Sequence, residues 1–140
     1  MSTLMSAITA SASGLDAQRA RMEVAVSNLA NADSTRSANG EPYRRREIVL
    51  EATPADGTAL GDVQPAGVKV AAVLEDQSDF RRRYDPSAPD ADANGFVAMP
   101  NVDVPEEMVD MLGAARAYQA NLTAIGLIRD TIAKALELAK

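Results

Sequence analysis

All seven prolines of this 140-residue chain fall between Pro42 and Pro105. Proline lacks the backbone donor that a helix interior needs, and its ring clashes with the preceding turn. The chain therefore divides into a helix-permissive start, a broken middle and a helix-permissive end. We place the divisions at 1–35, 36–100 and 101–140.

Both ends carry apolar residues at three-to-four spacing. The first series is Met5, Ile8, Ala12, Leu15, Arg19, Met22, Val26 and Leu29. Ser2 or Thr3 suits the N-cap, and Asn31 with Asp33-Ser34 offers a stop. The second series is Met108, Met111, Ala115, Tyr118, Leu122, Ile125, Arg129, Ile132, Leu136 and Ala139. Asp103 as N-cap, Pro105 in the first turn and Glu106 three residues after the cap mark its start. Lys134 and Lys140 suit the negative end of its dipole. Such seams predict a mainly α fold with a small β region. Long N- and C-terminal helices, roughly 45 and 55 Å, pair as an antiparallel coiled coil around a short-stranded middle.

Composition narrows this further. There are 27 alanines, no tryptophan and only 4% aromatics, which permits a thin core and favours close helix–helix packing. Leu112, Leu127, Ile128 and Leu138 lie off the C-terminal seam, a surplus of apolar surface that predicts contact with other chains. Gly113 and Gly126 each cost about 1 kcal/mol relative to Ala inside a helix. Either close approach by another helix or simple tolerance accounts for them. In the middle, Ile48-Val49-Leu50 and Val68 to Leu74 read as strands. Gly57, Gly61, Gly67, Pro54 and Pro65 separate them, and the stretch from Thr53 to Gly67 reads as loop. Phe80, Tyr84 and Phe96 are candidates to cover one face of a small sheet.

The chain has neither Cys nor His. That excludes thiol nucleophiles, Cys/His zinc sites and imidazole acid–base chemistry. We find no glycine-rich phosphate loop and no nucleophile elbow. No enzymatic activity and no cofactor are expected. A net charge of −6 argues against nucleic acid. No apolar run approaches the roughly 20 residues of a membrane span. The start lacks the charged n-region of a secretory signal, its first basic residue being Arg19.

Three patterns invite a site reading. Asp90, Asp92, Asn94 and Gly95 match the first half of a calcium loop, with Val97 at the apolar eighth position. Asn101 stands where the bidentate Glu belongs, so an Asp/Asn-rich turn is the stronger reading. Arg44-Arg45-Arg46 and Arg81-Arg82-Arg83 would serve a phosphate or an acidic neighbouring subunit, or lie solvated at strand ends. Arg19 and Arg129 interrupt the seams, either setting register or reaching out to solvent.

Four stretches resemble one family. Ser27-Asn28-Leu29-Ala30-Asn31-Ala32-Asp33-Ser34-Thr35 resembles the asparagine-rich motif of bacterial flagellar rod and hook proteins. Asn101 to Met111, followed by Ala115-Arg116-Ala117-Tyr118-Gln119-Ala120-Asn121, resembles their terminal helix. Pro42-Tyr43-Arg44-Arg45-Arg46, and Tyr84-Asp85-Pro86 with Gly95 through Val102, resemble the proximal-rod branch, the rod protein C family. The resemblance covers nearly the whole chain and is least distinctive over 53–67. Ala88 stands where the family often carries His, and Gly113 and Leu127-Ile128 replace more polar residues.

The resemblance implies a structural subunit of the proximal rod. It implies assembly through the terminal helices into the helical tube that transmits torque, and export without a cleaved signal peptide to a rod crossing the periplasm. Implied partners are other rod proteins, like subunits and the basal-body adaptor protein at the membrane ring. Implied motif residues are Asn28, Asn31, Tyr43, Arg44, Arg45, Asn101, Arg116, Tyr118, Gln119 and Asn121. The seam residues Met5, Ile8, Leu15, Met22, Val26, Leu29, Met108, Met111, Tyr118, Leu122, Ile125, Ile132 and Leu136 are expected to pack subunits. The alternative is a soluble helical adaptor or chaperone that binds partners through the same termini.

Overall fold

The computed structural model describes residues 2–54 and 67–138, with side chains from Leu4 onward. The side chains of the expected caps Ser2 and Thr3, the interior of the 53–67 loop, Ala139 and Lys140 lie outside the described part. Helix α1 spans Ser2–Ala30 and α2 spans Val104–Leu138. Between them lie β1 (Arg46–Thr53), β2 (Gly67–Glu75), β3 (Arg81–Tyr84) and β4 (Phe96–Met99). No helix among the described residues is long and apolar enough to cross a membrane.

Helix α2 starts where expected. Asp103 accepts the Glu106 N–H at 3.2 Å through its side chain and the Glu107 N–H at 3.0 Å through its carbonyl. Helix α1 ends as its Asn31 side chain donates to the Ser27 carbonyl at 2.8 Å and accepts from the Ser34 hydroxyl at 3.2 Å. The helix is thus stopped by a local side-chain competitor for its last carbonyls.

The strands form two antiparallel pairs, β1 with β2 and β3 with β4. The first pair contains both expected strands. Its register shifts between Val49, opposite Ala72, and Leu50, opposite Val70. Ala71 is left over as a bulge, which bends the ribbon. The pair lies along α1. Arg46 meets Asn28 at one end, and the Val68 N–H donates to the Ser13 hydroxyl at 3.0 Å at the other. In the second pair Tyr84 opposes Phe96, but Phe80 is not on that sheet. The Arg44 guanidinium covers the Phe80 ring instead, at 4.2 Å.

The most extensive contact between elements is α1 against α2, and its fully buried residues are small or polar. The buried residues of α1 are Ala17, Ala25 and Asn28, and those of α2 are Glu107 and Ala114. The large apolar residues of the first seam do not form this interior. At about 100° per residue they fall largely on the far side of α1. Met5 is 59% and Val26 is 52% exposed, while Ile8, Leu15, Met22 and Leu29 are half-buried. On α2, Met111, Tyr118, Ile125 and Ile132 are half-buried, and Met108, Leu122 and Leu136 are exposed. Small residues win the interior because they let the backbones approach closely. At Gly14 the Asn121 side chain fills the space that a Cβ would take, its Nδ2 lying 2.8 Å from that position. The remaining core, Tyr43, Val97, Met99, Pro100 and Val102, gathers beside the α1 exit and the α2 entry.

A methyl group added at Gly113 or Gly126 would meet nothing within 4 Å, so no described part of this chain approaches them. Gly113→Ala and Gly126→Ala are therefore expected to stabilise the isolated chain, each by about 0.5–1 kcal/mol through helix propensity. Gly14→Leu overfills the contact and should cost about 1–3 kcal/mol. Thermal melts of the three variants give the comparison.

Candidate functional site

The described part of the chain holds no carboxylate cluster able to bind a metal. Its one elaborate arrangement is a buried polar junction where both helices meet the middle of the chain. A primary amide offers two donors and a carbonyl with two lone pairs. Asn28, 1% exposed, uses all four. Its Nδ2 donates to the Arg46 carbonyl at 2.9 Å and to Glu107 Oε2 at 3.0 Å. Its Oδ1 accepts from the Tyr43 hydroxyl and the Arg46 N–H, both at 2.9 Å. The amide thus reads both the N–H and the C=O of Arg46, as a neighbouring strand would, and so sets where β1 begins.

Glu107 is the other pole, 2% exposed. Its second oxygen accepts from Arg45 Nε at 2.5 Å. Arg45 also pairs with Glu47 and lies 3.6 Å from Asp110 and 4.0 Å from Asp76. Burial disfavours the Arg45 charge, but Glu107 and then Glu47 outweigh it and hold the guanidinium above its ordinary pKa. A buried carboxylate is tolerable only when paired and hydrogen-bonded, and Glu107 is both. No buried side-chain nitrogen or oxygen among the described residues lacks a partner.

Asn101 extends the junction. Its Oδ1 accepts the Arg45 N–H at 2.8 Å, and its Nδ2 donates to the Asp76 carbonyl at 3.1 Å and the Ser78 hydroxyl at 2.9 Å. Arg44 donates to the Asp76 and Ser78 carbonyls at 3.4 and 3.3 Å. The motif residues Asn28, Tyr43, Arg44, Arg45 and Asn101 therefore converge at one place. Asn31 stays at the helix end. Asn121 lies against Gly14 far along the helices. Arg116 and Gln119 are exposed, and Tyr118 is half-buried.

Most arginines of the triple runs make contacts within the chain, although Arg46 and Arg81 to Arg83 are exposed. Arg46 lies 4.0 Å from Glu75 and 5.7 Å from the Tyr43 ring centre, Arg81 donates to the Val102 carbonyl at 2.8 Å, and Arg83 lies 4.0 Å from Asp85. Arg19 pairs with Glu23 at the surface, 3.0 Å away, and Arg129 is exposed. The Asp90–Gly95 stretch is a turn. Asp90 binds Arg36 and Thr35 at 2.7 and 2.8 Å, and Asp92 accepts the N–H groups of Asn94 and Phe96 at 2.8 and 2.9 Å. Gly95, at φ 81°, has the backbone that glycine best supplies there.

Glu107 is the junction residue that sequence reasoning did not single out. Acidic residues in a first helical turn have a ready explanation in the dipole, which masked it. The available signal was spacing, since Glu107, Ala114 and Asn121 repeat every seven residues, as do Gly14, Arg21 and Asn28.

The two ends of the chain match known families. The flagella basal body rod protein family matches residues 1–36, and the flagellar basal body rod FlgEFG protein C-terminal family matches residues 93–138. Paired terminal helices bearing these two signatures define the class, a structural protein of the flagellar basal-body rod. The flagellar basal-body rod protein FlgC of Bacillus subtilis strain 168 is 44% identical over 149 aligned residues, covering 99% of each chain. FlgC of Salmonella typhimurium is 47% identical over 126 residues, covering 90% of each. FlgC of Agrobacterium fabrum is 41% identical over 142 residues, covering 100% of this chain and 98% of that one. The chain belongs to the FlgC family of flagellar basal-body rod proteins. It is a structural rod subunit of the flagellar basal body and not an enzyme. The soluble-adaptor reading finds no support among these relatives.

Asn28→Ala should destabilise the chain by about 2–4 kcal/mol, because it orphans Glu107, Tyr43 and the Arg46 backbone together. Urea titration measures it, and Ser27→Ala serves as the mild neighbour control.

Three carboxylates of the middle region show a pH signature. Asp76 is held below its ordinary pKa by the Ser78 N–H and hydroxyl, Asp85 by the Ser87 hydroxyl, and Asp92 by the Phe96 and Asn94 N–H groups. A depressed carboxylate contributes stability that is complete above its unfolded pKa, about 3.9, and is lost as pH falls through the lower native value. Carboxyl-carbon NMR titration should find all three titrating below that value.

Proposed function

We propose that this rod subunit builds the proximal rod by packing its terminal helices into the helical tube that transmits torque. The observation that carries this is the outward placement of the large apolar residues. The buried residues of the two helices are alanine, asparagine and glutamate, while Met5, Val26, Met108, Leu122 and Leu136 face out, each more than two-fifths exposed. Contacts between unlike surfaces that do not close generate an open helical array, and such a stripe suits them.

In this reading 1–35 and 101–140 are the arms of an antiparallel coiled coil, and 36–100 is the β-rich part between them. Two contacts support the direction. Asn28 meets Glu107, and Gly14 meets Asn121. Fourteen residues back along α1 thus correspond to fourteen forward along α2. Steps of seven suit a coiled-coil repeat.

Its partners are like subunits, the other rod proteins and the adaptor protein at the membrane ring. The rod position is in the periplasm. Export without cleavage suits the fold, because Ala17, Ala25 and Asn28 are part of the buried interior and loss of this segment would remove it.

Val26→Asp and Leu122→Asp put charges on the outward faces. Each is expected to leave the melting of the isolated chain within about 0.5 kcal/mol and to abolish incorporation into basal bodies and swimming. Ordinary swimming of both variants overturns the proposal.

A further inference from the structure

Five of the six arginines in the triple runs make a direct hydrogen bond, ion pair or ring contact within the chain, as described above. Arg82 is the exception, forming no hydrogen bond and no ion pair with the described residues. Its neighbour Asp92 takes the Asn94 and Phe96 N–H groups on Oδ1 and attracts Arg82 through its charge without a direct contact. Alternate residues of a strand share a face, and residues opposite each other in register share it too. Arg82 opposes Ala98 and Tyr84 opposes Phe96, so these four form one face of the β3–β4 hairpin. The other face carries Val97 and Met99, which are buried.

The outer face is unusual for a surface. Tyr84 is 66% and Phe96 is 38% exposed, and their rings meet edge to face at 5.3 Å. Aromatics beside arginine are the residues most enriched where interfaces carry their binding energy. The matching chemistry is an apolar ridge flanked by acid. The chain presents one on the first turns of α2, where Val109 is 70% and Met108 is 54% exposed. Glu106 beside them is exposed and forms no ion pair among the described residues.

We propose that the outer face of the β3–β4 hairpin docks on the first turns of α2 in a second copy of this chain, with Arg82 meeting Glu106 and the Tyr84–Phe96 pair covering Val109. This rests on the rod-assembly reading. The charges are complementary, and complementary charge favours the correct partner and register. The two surfaces are different parts of one molecule, so each copy keeps one of each free for the next. The contact propagates and does not close on a pair.

The absence of cysteine allows a clean test. A Tyr84→Cys/Val109→Cys double variant, replacing the chain in cells, is oxidised in isolated basal bodies and run without reductant. A disulfide needs Cα atoms about 4.4–6.8 Å apart, so it reports true contact. A ladder of cross-linked copies is expected, with none in either single-cysteine variant. Basal bodies that contain the variant but give no cross-link, a product that stops at the dimer, or a link to a different protein each overturn the proposal.

Charge reversal gives a second route should the cysteines hinder incorporation. Arg82→Glu and Glu106→Arg are each expected to lower incorporation several-fold, and the combination to restore it. Unaffected single variants, or a combination no better than the worse single, overturn the docking. The rod reading itself fails differently, through the outward-stripe variants above, which leave this hairpin untouched.

Discussion

The side-chain amide of Asn28 has four hydrogen-bonding positions, and the fold fills all of them. Three separate parts of the chain meet on it: the end of α1, the start of β1 and the start of α2. Hydrogen bonds are directional, and a buried one left unmade costs more than its presence adds. Sliding α1 by one turn against α2 would strand Asn28 and Glu107 together, and Arg45 would lose the carboxylate that offsets its burial. The junction therefore selects a single register, a role that buried polar groups fill in other helical assemblies.

That selection matters because the helix interface has little else to define it. Alanine against alanine is permissive, since similar small surfaces face each other at many offsets. A core of small residues also gives modest apolar burial, at roughly 25 cal/mol per Å². The chain concentrates its polar specificity at one end of the helix pair and leaves Met5, Val26, Met108, Leu122 and Leu136 exposed along it.

Much of this was legible in the residues. Proline placement located both helices, and Asp103 with Glu106 marked the start of α2 to the residue. The β-branched runs around Val49 and Val70 announced the first strand pair. Strand β3 was hidden, because Arg81-Arg82-Arg83-Tyr84 shows no apolar alternation and owes its extended form to pairing with β4. The buried face of α1 was not legible for a physical reason. Large apolar residues draw attention as core, yet here Met5 and Val26 are exposed and Ile8, Leu15, Met22 and Leu29 half-buried, while Ala17, Ala25 and Asn28 are the buried ones. Asn28 and Asn31 stand three apart in one motif but do different work. One is tertiary and one is a local helix stop, a division that depends on which face of α1 is covered.

The bulge at Ala71 has a consequence for a protein that lives by associating. The β1–β2 ribbon has open backbone edges, and an open edge is a template for indiscriminate strand addition. An unpaired residue inside the ribbon increases twist and bends it away from the flat geometry that stacking strands require. The bent ribbon is thereby a poor template for amyloid-like growth through its strands.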